Sequence, residues 1–256
     1  MEDILQTIVA HKRREAHTPL ETMRARAETV DRPTVSMSRA LKASSTGIIA
    51  EFKRRSPSKG WIARYAHPSD VAAAYERSGA AAMSILTDGE FFGGGVADLT
   101  AARAVTTLPL LRKEFIVHEY QIYEARAAGV DAVLLIASVL TPEECRHLTD
   151  TAHALGLETL LEIHSADEIG HILPDTDMIG VNNRHLGTFH TDTEVSFTMA
   201  DKLPHDRVLV SESGISSAET IRRLREAGFA GFLIGETFMK CEDPSQALRQ
   251  LIAQIQ

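Results

Sequence analysis

Cysteine is scarce in this chain. Its 256 residues hold two, Cys145 and Cys241, and no CxxC pair. Thiols so far apart read as free cysteines of a reducing compartment, and they exclude a disulfide-stapled fold. Basic charge is also short: 35 acids face 27 lysines and arginines, for a formal net charge of −8. A protein that grips nucleic acid or an anionic membrane through a basic surface shows the opposite balance. No apolar run approaches the roughly 18 residues of a membrane span. The longest obvious one, Val133–Leu140, is interrupted by Ser138. Met1-Glu2-Asp3 opens the chain with no basic region and no apolar stretch behind it, so no secretory signal is visible and a cytoplasmic location is expected. Histidines number 11, but no HExxH or comparable spacing marks a metal site.

What is present is an ordinary soluble composition, 44% apolar and 24% charged, with ample material for a core. No Pro/Gly/Ser linker divides it. A soft repeat runs along the chain instead: a helical pattern ends in glycine and a short apolar strand follows, at Gly79, Gly129, Gly156 and Gly228. Glycine suits the left-handed position that ends a helix. Helix starts are legible at Thr141-Pro142-Glu143-Glu144 and at Ser216-Ser217-Ala218-Glu219, both read as capping boxes. Strands are expected near 47–53, 81–86, 108–113, 131–136, 157–163, 178–182, 207–211 and 231–234. Helices follow near 69–78, 97–105, 117–128, 141–155, 165–172, 194–202, 216–227 and 244–255. Strictly alternating strands and helices demand parallel strands with right-handed crossovers. Eight such units close into a (β/α)₈ barrel of about 250 residues. An open doubly wound sheet is the alternative, but no GxGxxG follows the first strand. The expectation is therefore one barrel domain over 1–256. Residues 1–46 form an N-terminal extension, with Ile4, Leu5, Ile8 and Val9 on one face of an extra helix.

In such a barrel the chemistry sits at the C-terminal ends of the strands. Those ends are charged here: Glu51 and Lys53 after strand one, Arg112-Lys113 after strand three, Glu162 and His164 after strand five, Asn182-Asn183-Arg184 after strand six, Glu212 after strand seven. Glu51 and Lys53 are two apart and point to the same side. One charged strand end is usually solvated rim. Two lysines, three carboxylates, an Asn and an Arg converging on one mouth are an acid–base constellation. Ser213-Gly214 and Ile234-Gly235-Glu236 lie after strands seven and eight, where this fold commonly binds phosphate through backbone N–H groups. The basic segment Arg54–Gly60 reads as a mobile anion-binding loop. His164 reads as a structural histidine, His185 and His190 fit no strong metal site, and Gly93-Gly94-Gly95 reads as a flexible loop.

The run Glu51-Phe52-Lys53-Arg54-Arg55-Ser56-Pro57-Ser58-Lys59-Gly60 closely resembles the signature of the indole-3-glycerol phosphate synthase family. The likeness continues through Leu86-Thr87-Asp88, Phe91-Phe92, Leu111–Phe115, Glu162-Ile163-His164, Asn182-Asn183-Arg184, Ser211–Ile215 and Ile234-Gly235-Glu236. It covers essentially the whole chain. The resemblance implies a (β/α)₈ barrel of tryptophan biosynthesis with no metal and no organic cofactor. Its substrate would be 1-(2-carboxyphenylamino)-1-deoxyribulose 5-phosphate, closed to indole-3-glycerol phosphate with loss of CO₂ and water. It further implies Lys113 as the general acid on the C2′ carbonyl, Glu162 and Lys53 in the dehydration, and Glu51 and Glu212 orienting them. The division of acid roles between the two lysines stays open. Ser56, Asn182 and Arg184 would contact carboxylate and hydroxyls. Phe92, Phe115, Leu134, Leu186 and Pro57 would line the aromatic pocket. Ser213, Gly214, Gly235 and Glu236 would hold phosphate. Two departures, Gly95 for a usual serine and His185 for Asn or Asp, fall beside the site.

Rival readings are another phosphate-binding barrel, such as phosphoribosylanthranilate isomerase or the tryptophan synthase α-subunit, and a non-catalytic anion-binding barrel. The first needs neither the second lysine nor the Glu51–Lys53 pair. The second would have lost some acid–base positions, and here each is filled. The expected partner is a small molecule, with no nucleic acid and no membrane, and the chain is expected to be a monomer.

Overall fold

A computed structural model of the chain describes residues 4–15, 18–185 and 187–255. Eight strands close into a barrel: β1 (Ile48–Phe52), β2 (Ala82–Leu86), β3 (Leu110–Lys113), β4 (Ala132–Ile136), β5 (Glu158–Ile163), β6 (Met178–Asn182), β7 (Val208–Glu212) and β8 (Phe229–Ile234). Each pairs in parallel with its sequence neighbour, and β8 returns to β1 with Phe232 opposite Ile48. The open sheet is thereby excluded. Being covered on both faces, the strands are nearly continuous apolar runs, as parallel strands must be.

The helices are α1 (Ile4–Arg14), α2 (Leu20–Glu28), α3 (Met37–Ala43), α4 (Pro68–Arg77), α5 (Val96–Arg103), α6 (Glu119–Ala127), α7 (Pro142–Ala154), α8 (Glu194–Ala200), α9 (Ala218–Glu226), α10 (Glu236–Met239) and α11 (Pro244–Ile255). The four glycines expected to end helices all have positive φ, from 73° at Gly156 to 99° at Gly228. The box at α7 is present: the Thr141 hydroxyl accepts from Glu144 N, and the Glu144 carboxylate accepts from Thr141 N. At α9 the cap is one residue later than expected. Ser217 accepts from Thr220 N, which leaves Glu219 out of register for a box. The helix expected at 165–172 is a 3₁₀ stretch, Ala166–His171; none of its residues is buried, so no apolar stripe anchors a full α-helix. Strand β8 begins at Phe229, before the expected 231, because a register irregularity carries the chain past Gly231.

The period of two along each strand sorts the core into two layers. Ile48, Ala50 and Phe52 pack outward under the helices, whereas Ile49 packs inward. The same split places Leu111, Leu160, Met178, Val208 and Val210 in the lumen. One step further up those inward rows stand Glu51, Lys113, Glu162, Asn182 and Glu212. The barrel thus fills its lower layers with aliphatics and its top layer with charge.

Where a single N-terminal helix was expected, the described residues form three. Ile8 of α1 joins the inner cluster beside Phe115, with Ile4 and Leu5 packed against it. Helix α2 runs along α6. Met37 and Leu41 of α3 are fully buried in the same inner cluster.

Candidate active site

The charged ring at the strand ends is held by its own ion pairs. Lys113 Nζ lies 2.6 Å from Glu162 Oε2 and 3.3 Å from Glu212 Oε2. Lys53 Nζ lies 2.8 Å from Glu51 Oε1. Asn182 donates from Nδ2 to Glu162 Oε1 at 3.1 Å, and its own Oδ1 accepts from Arg184 N at 3.0 Å. Glycine makes room for two of the acids: a Cβ at Gly180 would collide with Glu212 Oε1, and one at Gly235 with Glu51 Oε1. Both glycines lie on the inward rows, so the absence of a side chain there is what lets a carboxylate lie across the lumen.

Burial and charge act in opposition on these groups. Burial alone would raise Glu162, but Lys113 and His164 hold it well below the usual carboxylate range. Glu212 goes the other way. Burial and the neighbouring Glu162 outweigh Lys113 and push it up to about 8. Burial would lower Lys113, but Glu162, Glu212 and Glu51 reverse that and hold it cationic. Two carboxyls around one lysine, driven in opposite directions, are a ready-made acid and base.

The ring forms the floor of a cavity of about 670 Å³. Ser56, Pro57, Phe92, Phe115, Leu134, Arg184, Ser213, Gly214, Gly235 and Glu236 line it together with Glu51, Lys53, Lys113, Glu162, Asn182 and Glu212. Of the residues expected at the site, Leu186 lies outside the described residues. One wall is aromatic, with the Phe92 and Phe115 rings 6.1 Å apart between centroids. Another wall is the loops after β7 and β8. There Ser213 is held at φ 68°, a left-handed conformation unusual for a side-chain-bearing residue, and Asn183 Nδ2 donates to its carbonyl at 3.0 Å. Across the mouth, Arg184 reaches the Glu236 carboxylate at 3.5 Å.

The basic loop after β1 is a correction. Arg54 is clamped on Asp98 at 2.6 and 2.9 Å, and Arg55 donates to the Glu90 carbonyl. Both arginines thus fix the loop to its neighbour after β2, and of the loop's three basic residues only Lys59 lines the cavity. The ribbon that results pairs Arg55–Ser56 with Gly60–Trp61. His185 turns its Nδ1 onto the amides of Gly187 and Thr188, closing a turn beside the site. Among the described residues, no group of three or more His, Cys, Asp or Glu side chains is arranged to hold a metal.

Sequence reasoning passed over several residues that the fold brings in. Thr191, His190 and Phe189 line the cavity from the loop after β6, and Thr237 and Lys240 from α10 and its C-terminal end. Asp88 Oδ1 accepts from Phe91 N at 2.6 Å and from Phe92 N at 3.2 Å. His164 Nε2 stands 3.3 Å from Glu162 Oε1, close enough to act on it rather than serve packing alone. The signal for His164 was there, since it is two residues beyond Glu162 on the same inward row.

Comparison with known proteins narrows the possibilities. The sequence profile of indole-3-glycerol phosphate synthase matches residues 4–251. A protein of that name from Bacteroides thetaiotaomicron is 53% identical over 261 residues, covering 100% of both chains. One from Burkholderia cenocepacia is 44% identical over 98% of this chain and 99% of its own. Among solved structures, a tryptophan synthase α-subunit from Pyrococcus furiosus superposes with a TM-score of 0.58 at 14% identity, over 82% of this chain and 97% of that one. A chain of the Pyrococcus furiosus tryptophan synthase α₂β₂ complex gives 0.60 at 13%, over 83% and 98%. At such identity these structures speak for the barrel fold alone.

Proposed function

The chain belongs to the indole-3-glycerol phosphate synthase family, a carboxy-lyase family of tryptophan biosynthesis, and from that premise we propose how its barrel mouth carries out the ring closure. The observation that carries the reading is Lys113, fixed between Glu162 and Glu212 on the floor of a cavity with an aromatic wall on one side and glycine–serine loops on another. The substrate, 1-(2-carboxyphenylamino)-1-deoxyribulose 5-phosphate, has matching parts. Its phosphate sits on the backbone of Ser213, Gly214, Gly235 and Glu236. Its aromatic ring lies against Phe92, Phe115, Leu134 and Pro57, with Leu186 added by family resemblance. Ser56, Asn182 and Arg184 meet its carboxylate and hydroxyls, Arg184 suiting a planar carboxylate.

The ring carbon that bears the carboxylate attacks C2′, and Lys113 protonates the carbonyl oxygen as negative charge develops there. Carbon dioxide leaves, and the electron pair of its bond restores the aromatic ring. Glu162 then takes a proton from C1′ and Lys53 gives one to the departing C2′ hydroxyl, so that water leaves and the indole forms. Glu51 holds Lys53 toward the lumen, and Glu212 does the same for Lys113. The reading needs no metal and no organic cofactor. It describes one barrel unit over 1–256 with 1–46 as its helical extension, a cytoplasmic monomer working on a small molecule with no nucleic-acid partner. The isomerase and the non-catalytic barrel lose ground because the family match spans the chain and every acid–base position is filled.

The test is turnover of that substrate by the purified protein, followed by indole fluorescence. Wild type is expected to form product, and Lys113→Ala to lose about 10²–10⁴-fold while staying folded. A folded wild type without turnover overturns the reading.

A further inference from the structure

We propose that Lys12, on helix α1, is a positioning residue that sets the aromatic wall of the site by bridging the buried carboxylates of Asp88 and Glu114. The inference rests on the proposed reading in one respect, that the substrate's aromatic half lies against Phe92 and Phe115. Lys12 Nζ lies 2.9 Å from Asp88 Oδ2 and 3.3 Å from Glu114 Oε1, and the three side chains are 4%, 1% and 2% exposed. Its third neighbour is the half-exposed Glu15 carboxylate at 3.1 Å.

Each bridged acid also accepts from the backbone beneath the wall. Asp88 accepts from the amides of Phe91 and Phe92. Glu114 accepts from the amide of Phe115 at 2.9 Å through the same Oε1 that meets Lys12. Its Oε2 accepts from Thr87 Oγ1 at 2.7 Å, and that hydroxyl in turn accepts from Arg112 Nε. Asp88 follows β2 and Glu114 follows β3, so one ammonium ties two loops to α1. A ring contact repeats the tie: His11, also on α1, meets Phe91 edge-on at 5.7 Å. Two carboxylates at such burial need a partner to offset their lost hydration, and Arg112 stands 4.0 Å from Glu114 on the far oxygen. Among the described residues, Lys12 is the cation that meets both.

Lys113 is held from another direction, by Glu162 and Glu212. Loss of Lys12 therefore acts on the aromatic wall and spares the acid. This predicts a split between KM and kcat that a general loss of fold would not give.

The experiment compares wild type with Lys12→Met and Lys12→Arg. In Lys12→Met, KM for the aromatic ribulose phosphate is expected to rise about 10–100-fold with kcat within about threefold. Inhibition by inorganic phosphate, which probes only the loops after β7 and β8, is expected to stay unchanged. Amide hydrogen exchange at Phe91, Phe92 and Phe115 is expected to speed up about tenfold or more, with Ser213 and Gly214 unaffected. Lys12→Arg is expected to recover most of the lost affinity. If Lys12→Met does not fold, Asp88→Asn serves: its amide oxygen still accepts from Phe91 and Phe92, but its tie to Lys12 is weakened, and KM should move the same way. An unchanged KM in a folded variant, or KM, kcat and phosphate inhibition all worsening together, overturns the inference. A wild type without turnover overturns only the reaction assignment, and the exchange pattern then decides the role of Lys12 by itself.

Discussion

At the N-terminal end of the barrel, carboxylates are saturated with donors; at the C-terminal end they face one another across a lysine. Asp131, just before β4, accepts from Arg32 Nη2 at 2.6 Å, Val35 N at 2.8 Å, Leu110 N at 2.9 Å and Arg103 Nη1 at 3.0 Å. Glu158, at the start of β5, accepts from Ser36 Oγ, Ser38 N and Ser38 Oγ. Both ends bury acid, but only the lower one satisfies it fully. At the upper end Glu212 has no hydrogen bond to either carboxyl oxygen among the described residues, and its company is Lys113 and Glu162. The lower acids bind the N-terminal extension to the barrel. Glu212, at the upper end, is left short of partners, and a substrate can supply what it lacks. That difference is what divides a stability face from a catalytic face in this fold.

Exchanging the two kinds of loss tests the division most severely. Glu162→Gln is expected to cut turnover by about 10²–10⁴-fold in a chain that keeps its far-ultraviolet circular dichroism. Asp131→Ala is expected to cost about 3–5 kcal/mol in urea unfolding, because two arginines and two amides lose a buried partner. Its folded fraction should keep kcat within about twofold. A fall in kcat for Asp131→Ala comparable to that of Glu162→Gln would erase the contrast between the two ends.

The next effect is smaller and concerns pH. Glu212 has a folded-state pKa near 8 against an ordinary 4.5, so between those values the folded chain holds a proton that the unfolded chain has lost. Its contribution to stability is full below pH 4.5 and is lost as pH rises through about 8. Glu212→Gln should remove that slope and raise the melting temperature at pH 8.5 by about 4 °C or more, while lowering turnover. Parallel pH–melting curves for the two proteins would show that the acid is not held protonated. A variant both more stable and less active is what a partner-starved catalytic face predicts.

How much of this was legible in the sequence follows from which signals are local. Strand and helix order came from glycine punctuation and apolar runs, both local, and it survives with boundary shifts at Ser217 and Phe229. The ring of Glu51, Lys113, Glu162 and Glu212 came from the period of two plus the knowledge that strand ends converge in a barrel. Lys12 was invisible, because a lysine on a helix reads as solvated until its long-range partners Asp88 and Glu114 are in place. The same holds for Arg54 and Arg55. Their sequence neighbours suggest an anion loop, and only the fold brings Asp98 and the Glu90 carbonyl to meet them. Three helices stand where one was read because α2 and α3 owe their burial to α6 and the barrel bottom more than to a strong stripe of their own.

The smallest expected effect sharpens the upper end alone. His164 would be lowered by burial, but Glu162 at 3.3 Å and Glu168 at 3.5 Å pull it up to about 9. It is therefore an imidazolium at neutral pH, and with Lys113 it keeps Glu162 ionised and ready to accept a proton. Its own contribution to stability is full below about 6.5 and is lost as pH rises through about 9. In wild type, kcat/KM should bend downward near pH 9, as the imidazolium loses its proton and Glu162 loses one of its two cations. His164→Asn should remove that bend, keep the neutral-amide geometry near Glu162, and lower turnover by a modest factor, about 3–10-fold at neutral pH. It should also move the acidic limb upward, because a carboxylate with one cation fewer protonates more easily. A profile identical to wild type on both limbs would return His164 to packing, and would leave Lys113 as the cation that keeps Glu162 charged.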